Sequence, residues 1–283
     1  MVFDLTTELD AKNVKRLVQQ ALAEDIGDND ITAKLLATTQ NAVATIITKE
    51  DMLLAGQAFV TEVFAHLDET IRIKWYYQDG DFISANKTIC ELFGNTRNLL
   101  TGERTALNFL QLLSATATQT HHYVQQLRGT SAKLLDTRKT IPLFRQAQKY
   151  AVYCGGGYNH RIGLYDVVLI KENHILASGS LPSAVARARD LYPQKIIDVE
   201  VENLQQLVLA LQTSADIIML DNFSLVEMRK AVRQAANKKR LEASGMITLE
   251  NIAAVASTGV DYISVGAVTK NIYAIDLSMR LQH

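Results

Sequence analysis

The sequence predicts an α/β protein with two regions, an α+β region over roughly the first hundred residues and a parallel β/α barrel after it. Three observations support this prediction: strand-like runs between residues 42 and 92, a long helical segment from Thr101, and a regular alternation of apolar runs and helical segments after residue 132. The chain has 283 residues, 48% hydrophobic and 21% charged, so it can bury one large core or two modest ones.

Composition limits the classes of partner and the compartment. The formal net charge is -1, so no excess of basic residues attracts nucleic acid or membranes, and any cationic site must be a local cluster. Cys90 and Cys154 show no zinc-binding spacing, which is typical of reduced thiols. The sequence shows neither a signal-peptide pattern nor a run of about 18 apolar residues. We therefore expect a cytoplasmic protein.

The first region combines helices and strands. Residues 13–24, NVKRLVQQALAE, carry apolar side chains at positions 14, 17, 18, 21 and 22, a spacing that predicts a helix. Between residues 42 and 92, the runs AVATIITKED, IRIKWYY and TICELFG predict strands, with a helical piece near residues 57–67. A long helix is predicted next from Thr101, which is an acceptable N-cap, with apolar positions at 107, 110 and 113.

After residue 132 the chain repeats one pattern, a short apolar run that ends in polar residues. The runs are AKLLDTRKT, DVVLIKENH, KIIDVEVEN, DIIMLDN, KRLEASG and VDYISVGAVT. Their polar ends fall near residues 136, 171, 200, 221, 244 and 266, and after the first interval they are roughly 20 to 30 residues apart, the length of a βα unit. Six such units predict a parallel barrel, incomplete because eight would need more chain; a doubly wound open sheet is the main alternative.

The polar residues at the ends of these runs predict an anion-binding site. Ligands bind at the carboxyl ends of parallel strands in both candidate folds, so these residues should converge. They are Arg138, Lys139, Lys171, Glu200, Asp221, Ser244, Gly245 and Gly266, joined by His160 and Arg161 from GGGYNHR. Arginine and lysine suit carboxylates and phosphates, glycine lets backbone N–H groups approach a phosphate, and carboxylates suit Mg²⁺ or ribose hydroxyls. The site therefore indicates a phosphorylated sugar with a second anionic partner.

Each of these residues also has an ordinary structural interpretation. Taken alone, Arg138 or Lys171 is more often a solvated loop residue, and His160 is more often a hydrogen-bonded structural residue than a catalyst. The shared position at strand ends favours the functional interpretation, because independent surface loops need not all place polar residues there.

The motifs resemble those of the quinolinate phosphoribosyltransferase family. The segments ALAEDIGDNDIT, TGERTALNFLQLLSATAT, LLDTRKTIPLFRQAQKYAVYCGGGYNHRIGLYDVVLIKENH, VEVEN, IIMLDN, LEASGMI and YISVGAVT occur in that family's order over nearly the whole chain. The resemblance implies an N-terminal open α/β sandwich over residues 1–106, on which residues 271–283 pack, and an incomplete seven-stranded α/β barrel over residues 107–270. It also implies a homodimer whose active site is shared between subunits.

The implied reaction joins quinolinate to 5-phosphoribosyl 1-pyrophosphate with Mg²⁺ and releases pyrophosphate and CO₂, giving nicotinate mononucleotide in NAD biosynthesis. By resemblance, Lys139, Lys171, Glu200 and Asp221 are catalytic, and Glu200 and Asp221 hold Mg²⁺ directly or indirectly. The implied substrate-binding set is Arg104 (from the neighbouring subunit), Thr137, Arg138, Lys139, His160, Arg161, Lys171, Glu200, Asp221, Ser244, Gly245, Met246, Gly266 and Lys270. Two of these depart from the family pattern. Met246 stands where a second glycine or a small polar residue is common, and Lys270 where histidine is frequent.

Three alternatives remain open at this point. The first is a homologue that retains the fold, linked to molybdenum transport in some bacteria, whose substrate is unclear. The second is a Schiff-base lyase that uses Lys139 or Lys171. The third is a non-catalytic protein that binds phosphorylated metabolites. The set of arginines favours the transferase over the lyase.

Overall fold

The computed structural model describes residues 8–282, which divide into two compact units. The antiparallel-sheet unit comprises residues 8–121, 146–156 and 271–282, and the parallel-sheet unit comprises residues 122–145 and 157–270. The boundary predicted at residues 106/107 falls inside a long helix and stays a prediction. Within the described chain, no helix combines the length and apolar character needed to cross a membrane.

The antiparallel-sheet unit packs helices on two small sheets. Strands β1, β3, β5 and β12 form a sheet in the order β12-β1-β5-β3, all pairs antiparallel, and β2 pairs with β4. Its elements are α1 (Ala11–Ile26), β1 (Asn41–Thr48), β2 (Met52–Leu53), α2 (Gln57–Leu67), β3 (Arg72–Trp75), β4 (Phe82–Ile83), β5 (Thr88–Asn95), most of α3 (Thr96–Gln125) and of α4 (Arg145–Cys154), and β12 (Leu277–Leu281), with a 3-10 turn at Ala33–Leu35.

The helical spacing of residues 13–24 is confirmed. Helix α1 buries Val14, Leu17, Val18 and Leu22, the apolar positions that share one face. Its N-cap is Asp10, whose carboxylate accepts the N–H of Lys12.

The predicted start of the long helix is wrong by five residues. Helix α3 begins at Thr96 and not at Thr101. The side chain of Asn95 accepts the N–H of Arg97 at 3.0 Å, which satisfies a free donor of the first turn. Thr101 lies within the helix, and its hydroxyl donates to Asp30. An asparagine at the end of a strand therefore begins this helix.

The parallel-sheet unit alternates strands and helices. Its six strands lie in the order β6-β11-β10-β9-β8-β7, with every pair parallel. Its elements are β6 (Lys133–Leu135), β7 (Val167–Ile170), α5 (Glu172–Ala177), α6 (Leu181–Leu191), β8 (Ile196–Val201), α7 (Leu204–Leu211), β9 (Ile217–Asp221), α8 (Leu225–Ala235), β10 (Arg240–Ser244), α9 (Ile252–Ala256), β11 (Tyr262–Ser264) and α10 (Ala267–Lys270).

This sheet curves into an incomplete barrel. Tyr158 forms an isolated parallel bridge with Leu135 of β6. This single bridge residue stands where the resemblance implies a seventh strand. Two residues later, His160 Nε2 lies 3.4 Å from Asp198 Oδ2 on β8. In a flat sheet these positions would be about five strand spacings apart, roughly 24 Å. The contact therefore requires a closed curvature, which favours the barrel over the open doubly wound sheet.

Candidate active site

A cavity of about 510 Å³ opens at the carboxyl ends of the parallel strands. Its volume falls within the usual range for a small-molecule site. Eleven of the fourteen predicted site residues line it: Thr137, Arg138, Lys139, His160, Arg161, Lys171, Glu200, Asp221, Ser244, Gly245 and Met246. The predicted convergence of strand-end residues is therefore present in the fold.

The loop after β6 is held by two hydrogen bonds. Thr137 Oγ1 accepts the N–H of Lys139 at 3.1 Å, and Thr269 Oγ1 donates to the carbonyl of Lys139 at 2.8 Å. Gly266 does not line the cavity, but a Cβ there would come within 2.9 Å of Lys139 Cδ. Gly266 therefore leaves room for the Lys139 side chain.

Asp136 connects this loop to the segment that carries His160 and Arg161. Its buried carboxylate accepts the side-chain N–H of Asn159 at 2.7 Å and the backbone N–H of His160 at 2.9 Å. The backbone of Asp136 also donates to the carbonyl of Tyr158. The acid in DTRKT is thus structural, and it fixes the position of the neighbouring histidine and arginine.

Two guanidinium groups lie close enough to repel each other. Burial and the charge of Arg138 lower the pKa of the Arg161 guanidinium. The Nε of Arg138 is buried and has no hydrogen-bond partner within residues 8–282. A buried donor without an acceptor beside a second cation is the arrangement expected where an anionic ligand supplies the acceptor.

Beneath the cavity lies a buried cluster of His160, Asp198 and Glu242. His160 Nε2 is 3.4 Å from both Asp198 Oδ2 and Glu242 Oε2. Burial disfavours the charged ring, but the carboxylates of Glu242 and Asp198 outweigh it and raise the pKa of His160 to about 10. Burial and the charge of Glu242 raise the pKa of Asp198 to about 6. Within residues 8–282, His160 Nε2 is the one donor near these carboxylates, and their four oxygens accept no other hydrogen bond.

These three residues have the donor atoms of a metal site, but one hydrogen bond argues against a metal. Their ligand atoms lie within 4.8 Å of one another. The backbone N–H of Arg161 donates to His160 Nδ1 at 2.7 Å, so the ring proton lies on Nε2. Nε2 is the atom that faces the two carboxylates, and a protonated nitrogen cannot ligate a metal. The hydrogen bond to Nδ1 therefore disfavours a metal ion at Nε2.

The two carboxylates predicted to hold Mg²⁺ are both on the cavity wall. Glu200, near the end of β8, forms an ion pair with Lys171, which follows β7. Asp221 ends β9, and its Oδ2 accepts the side-chain N–H of Asn222 at 2.8 Å. Carboxylate oxygens of this kind suit Mg²⁺, which keeps several waters and uses only one or two protein ligands.

The loop after β10 contains two consecutive left-handed residues. Gly245 has φ 93° and Met246 has φ 46°, a conformation that favours glycine at both positions. The Met246 side chain is 84% exposed. Asn251 fixes the loop, since its amide donates to the Met246 carbonyl at 3.0 Å and accepts the N–H of Thr248 at 2.9 Å.

Two predicted residues lie away from the cavity wall. Lys270 ends α10 with an exposed side chain and is not among the lining residues. Arg104 is exposed on α3 in the antiparallel-sheet unit, and its contribution to a neighbouring subunit's site stays a prediction.

Sequence reasoning missed six residues of the site. Five of them line the cavity: Leu169, Met219, Asn222, Glu242 and Ser264. The sixth, Asp198, lies in the cluster beneath. Except for Asn222, each missed residue precedes a predicted strand-end residue by two positions and so shares its face of the strand. The alternation of β-strands could therefore have identified them.

Comparisons with known proteins place the chain by its sequence over most of its length. Residues 30–114 match the N-terminal domain and residues 116–280 the C-terminal domain of quinolinate phosphoribosyl transferase. The chain is 41% identical to a probable carboxylating nicotinate-nucleotide pyrophosphorylase of Bacillus subtilis, over 94% of this chain and 92% of that protein. It is 38% identical to the corresponding Mycobacterium leprae protein, over 93% and 95% of the two chains.

A solved structure gives the same result at the level of the fold. The nicotinate-nucleotide pyrophosphorylase of Francisella tularensis superposes with a TM-score of 0.95 at 51% identity, covering 99% of this chain and 100% of that one. With both domains matched and the strand-end cluster assembled around one cavity, the chain belongs to the quinolinate phosphoribosyltransferase family.

Proposed function

We propose that this enzyme, a phosphoribosyltransferase, transfers the phosphoribosyl group of 5-phosphoribosyl 1-pyrophosphate to quinolinate, with Mg²⁺ and with loss of CO₂. The products are nicotinate mononucleotide, pyrophosphate and CO₂, a step of NAD biosynthesis. The observation that carries the proposal is the convergence of four cationic side chains and three carboxylates on one cavity, in a chain of this family. The cationic residues are Arg138, Lys139, Arg161 and Lys171.

The arginine side of the cavity suits the dicarboxylate. Quinolinate carries two adjacent carboxylates, and arginine binds a carboxylate with two parallel hydrogen bonds. The buried Arg138 Nε, which has no protein acceptor in residues 8–282, would gain one from the substrate. The neighbouring Arg161 would lose the repulsion that lowers its pKa. Binding a dianion therefore relieves both of these costs.

The two lysines and the loop after β10 suit the sugar phosphate. Lys139 and Lys171 supply point charges for the pyrophosphate and phosphate, and the Ser244–Met246 loop offers backbone N–H groups. Glu200 and Asp221 would hold Mg²⁺ and accept hydrogen bonds from the ribose hydroxyls. When bound, Mg²⁺ neutralises charge on the pyrophosphate as it leaves.

The reaction needs orientation and charge stabilisation from the protein. The pyridine nitrogen forms a bond to ribose C1 as the C1–O bond to pyrophosphate breaks. The resulting cationic ring then stabilises the electron pair left at C2 when CO₂ departs, and a proton replaces the carboxylate. Arg138 and Arg161 fix the ring, and Lys139 and Lys171 stabilise the departing charge. We propose no covalent enzyme intermediate, because none of these steps requires a protein nucleophile.

We also propose a cytoplasmic homodimer in which Arg104 of one subunit completes the site of the other. Arg104 is exposed on α3, as a residue contributed to a neighbouring chain must be. A third arginine would suit the second carboxylate of quinolinate.

A direct assay tests the proposal. Purified protein is mixed with Mg²⁺, 5-phosphoribosyl 1-pyrophosphate and quinolinate, and nicotinate mononucleotide, pyrophosphate and CO₂ are followed together, with nicotinate as a parallel substrate. We expect product from quinolinate only, with equal amounts of pyrophosphate and CO₂. Folded protein that forms no product would refute the proposed reaction. Trapping of a lysine by borohydride with a carbonyl substrate would instead favour the lyase.

A further inference from the structure

Asn222 contacts two parts of the cavity wall at once. It follows Asp221 at the end of β9, and its side-chain N–H donates to Asp221 Oδ2 at 2.8 Å. Its backbone N–H donates to the carbonyl of Ser244 at 3.0 Å, at the end of β10. The residue therefore links a carboxylate of the site to the neighbouring strand end.

The backbone of Asn222 is in the left-handed region, with φ 55°. Asparagine is one of the few residues besides glycine that adopt this conformation at modest cost. In this conformation the side chain turns toward the loop after β10. The side-chain hydrogen bond to Asp221 is therefore coupled to a local backbone geometry that few other residues could maintain.

The other side of the Asn222 amide packs directly on Gly245. A Cβ built at Gly245 would lie 2.1 Å from Asn222 Oδ1 and 2.6 Å from its Cγ. Real Cβ atoms do not approach other atoms this closely. Gly245 is therefore needed for two reasons, its φ of 93° and the volume that the Asn222 side chain occupies.

We propose that Asn222 is a positioning residue for the sugar-phosphate half of the site. By donating to Asp221 Oδ2 it fixes the plane of that carboxylate, whose other oxygen would be available to Mg²⁺ or a ribose hydroxyl, and by packing on Gly245 it fixes the Ser244–Met246 loop relative to Asp221. This inference rests on the proposed function. It adds a residue whose contacts are with Asp221 and Gly245, so its loss should affect the phosphoribosyl donor only.

The test uses two substitutions at Asn222. Asn222→Gly removes the side chain while accommodating the left-handed backbone, and Asn222→Asp keeps the shape but replaces the donor with a second acceptor. We expect the KM for 5-phosphoribosyl 1-pyrophosphate to rise about tenfold in both variants, because a hydrogen bond to a charged group is lost. The KM for quinolinate should stay within about twofold.

Equilibrium binding gives a readout that is independent of turnover. Titration calorimetry with 5-phosphoribosyl 1-pyrophosphate and Mg²⁺, without quinolinate, should show the same loss of about tenfold in Kd. A separate titration with quinolinate should be unchanged. Circular dichroism of each variant verifies that the fold is retained.

A double-mutant cycle isolates the contact with Gly245. Gly245→Ala should weaken binding of 5-phosphoribosyl 1-pyrophosphate because the new Cβ displaces the Asn222 amide. The Asn222→Gly/Gly245→Ala double variant should bind no worse than the more affected of the two single variants.

Gly129→Ala is the matched control, since Gly129 has φ 84° and nothing within 4 Å of its Cβ position, so it adds backbone strain alone. We expect Gly129→Ala to leave binding unchanged.

The possible results separate this inference from the proposed function. Wild-type protein without product would refute the transferase. Active wild-type protein whose Asn222→Gly variant keeps its affinity for 5-phosphoribosyl 1-pyrophosphate would overturn the inference alone. An equal loss of affinity for both substrates, or full additivity in the cycle, would also overturn it, because a general structural role would then explain the effect.

Discussion

The buried cluster of His160, Asp198 and Glu242 should make stability fall as the pH rises. The folded cluster holds one proton more than a neutral ring with two carboxylates, as the pKa of about 10 for His160 indicates. The hydrogen bond from the Arg161 N–H to His160 Nδ1 favours this extra proton on a carboxyl group, whereas the negative charge of the carboxylates favours it on the ring. The number of protons that the cluster binds is the same in both cases. In the unfolded chain the imidazole releases its proton near its ordinary pKa of 6.5.

The size and sign of the effect follow from proton linkage. Above pH 6.5 the folded state binds more protons than the unfolded state, so the free energy of unfolding decreases with pH until the cluster titrates near pH 10. The stabilisation is fully present below pH 6.5 and is lost toward pH 10. The interval between these pKa values corresponds to on the order of 5 kcal/mol, a large part of the stability of an ordinary domain.

Urea unfolding between pH 6 and 10, followed by circular dichroism, measures this dependence. The isosteric double variant Asp198→Asn/Glu242→Gln removes both charges, so burial alone acts on His160 and the ring stays neutral throughout. We expect the wild type to lose several kcal/mol more than this variant over the range. His66→Asn, at an exposed site on α2, controls for the loss of an ordinary histidine. If the free energy of unfolding depended on pH identically in the wild type and the double variant, the extra proton inferred for the folded cluster would be refuted.

Three further predictions concern substrate binding. Arg138→Ala should abolish quinolinate binding with the fold intact, because the buried Nε faces the ligand; calorimetry that finds a normal Kd would contradict this. Gly266→Ala should displace Lys139, whose Cδ lies 2.9 Å from the added Cβ, and should lower kcat/KM about tenfold in the direct assay; unchanged kinetics would show that the lysine side chain can move aside. Arg104→Ala and Lys139→Ala, each inactive alone, should partly restore activity when mixed, and verified mixed dimers that stay inactive would count against a shared site.

The sequence predicted the strand ends of the barrel better than the residues beneath them. Polar residues that follow apolar runs, such as Lys171 and Asp221, are visible because the composition changes at that point. Asp198 and Glu242 share the strand faces of Glu200 and Ser244, so alternation could have placed them at the site, but it gives no sign that they are buried beside His160. Their partners are brought together only when the sheet closes, which single-sequence patterns do not encode.

The contacts that hold the loops could not be predicted from the sequence either. Asp136 belongs to DTRKT and looked like part of the anion-binding loop, but its carboxylate accepts from Asn159 and His160, 23 and 24 residues away. Such a pairing depends on the bridge between Tyr158 and Leu135, a seventh strand too short to recognise by alternation. The left-handed backbone of Met246 was similarly unexpected, because methionine is not a residue that favours it.

The acids beneath the cavity explain how a cationic site can exist before its substrate binds. Burial and the charge of Arg138 both disfavour the charged form of Arg161, while the carboxylates of Asp166 and Asp198 favour it. Asp198 and Glu242 are completely buried, and in residues 8–282 only the His160 ring lies close enough to donate to them, an arrangement that costs stability in an ordinary core. Here their charge offsets the cations above them. A dianionic substrate can then enter a cavity whose arginines are already charged and oriented, so little reorganisation remains for the moment of binding.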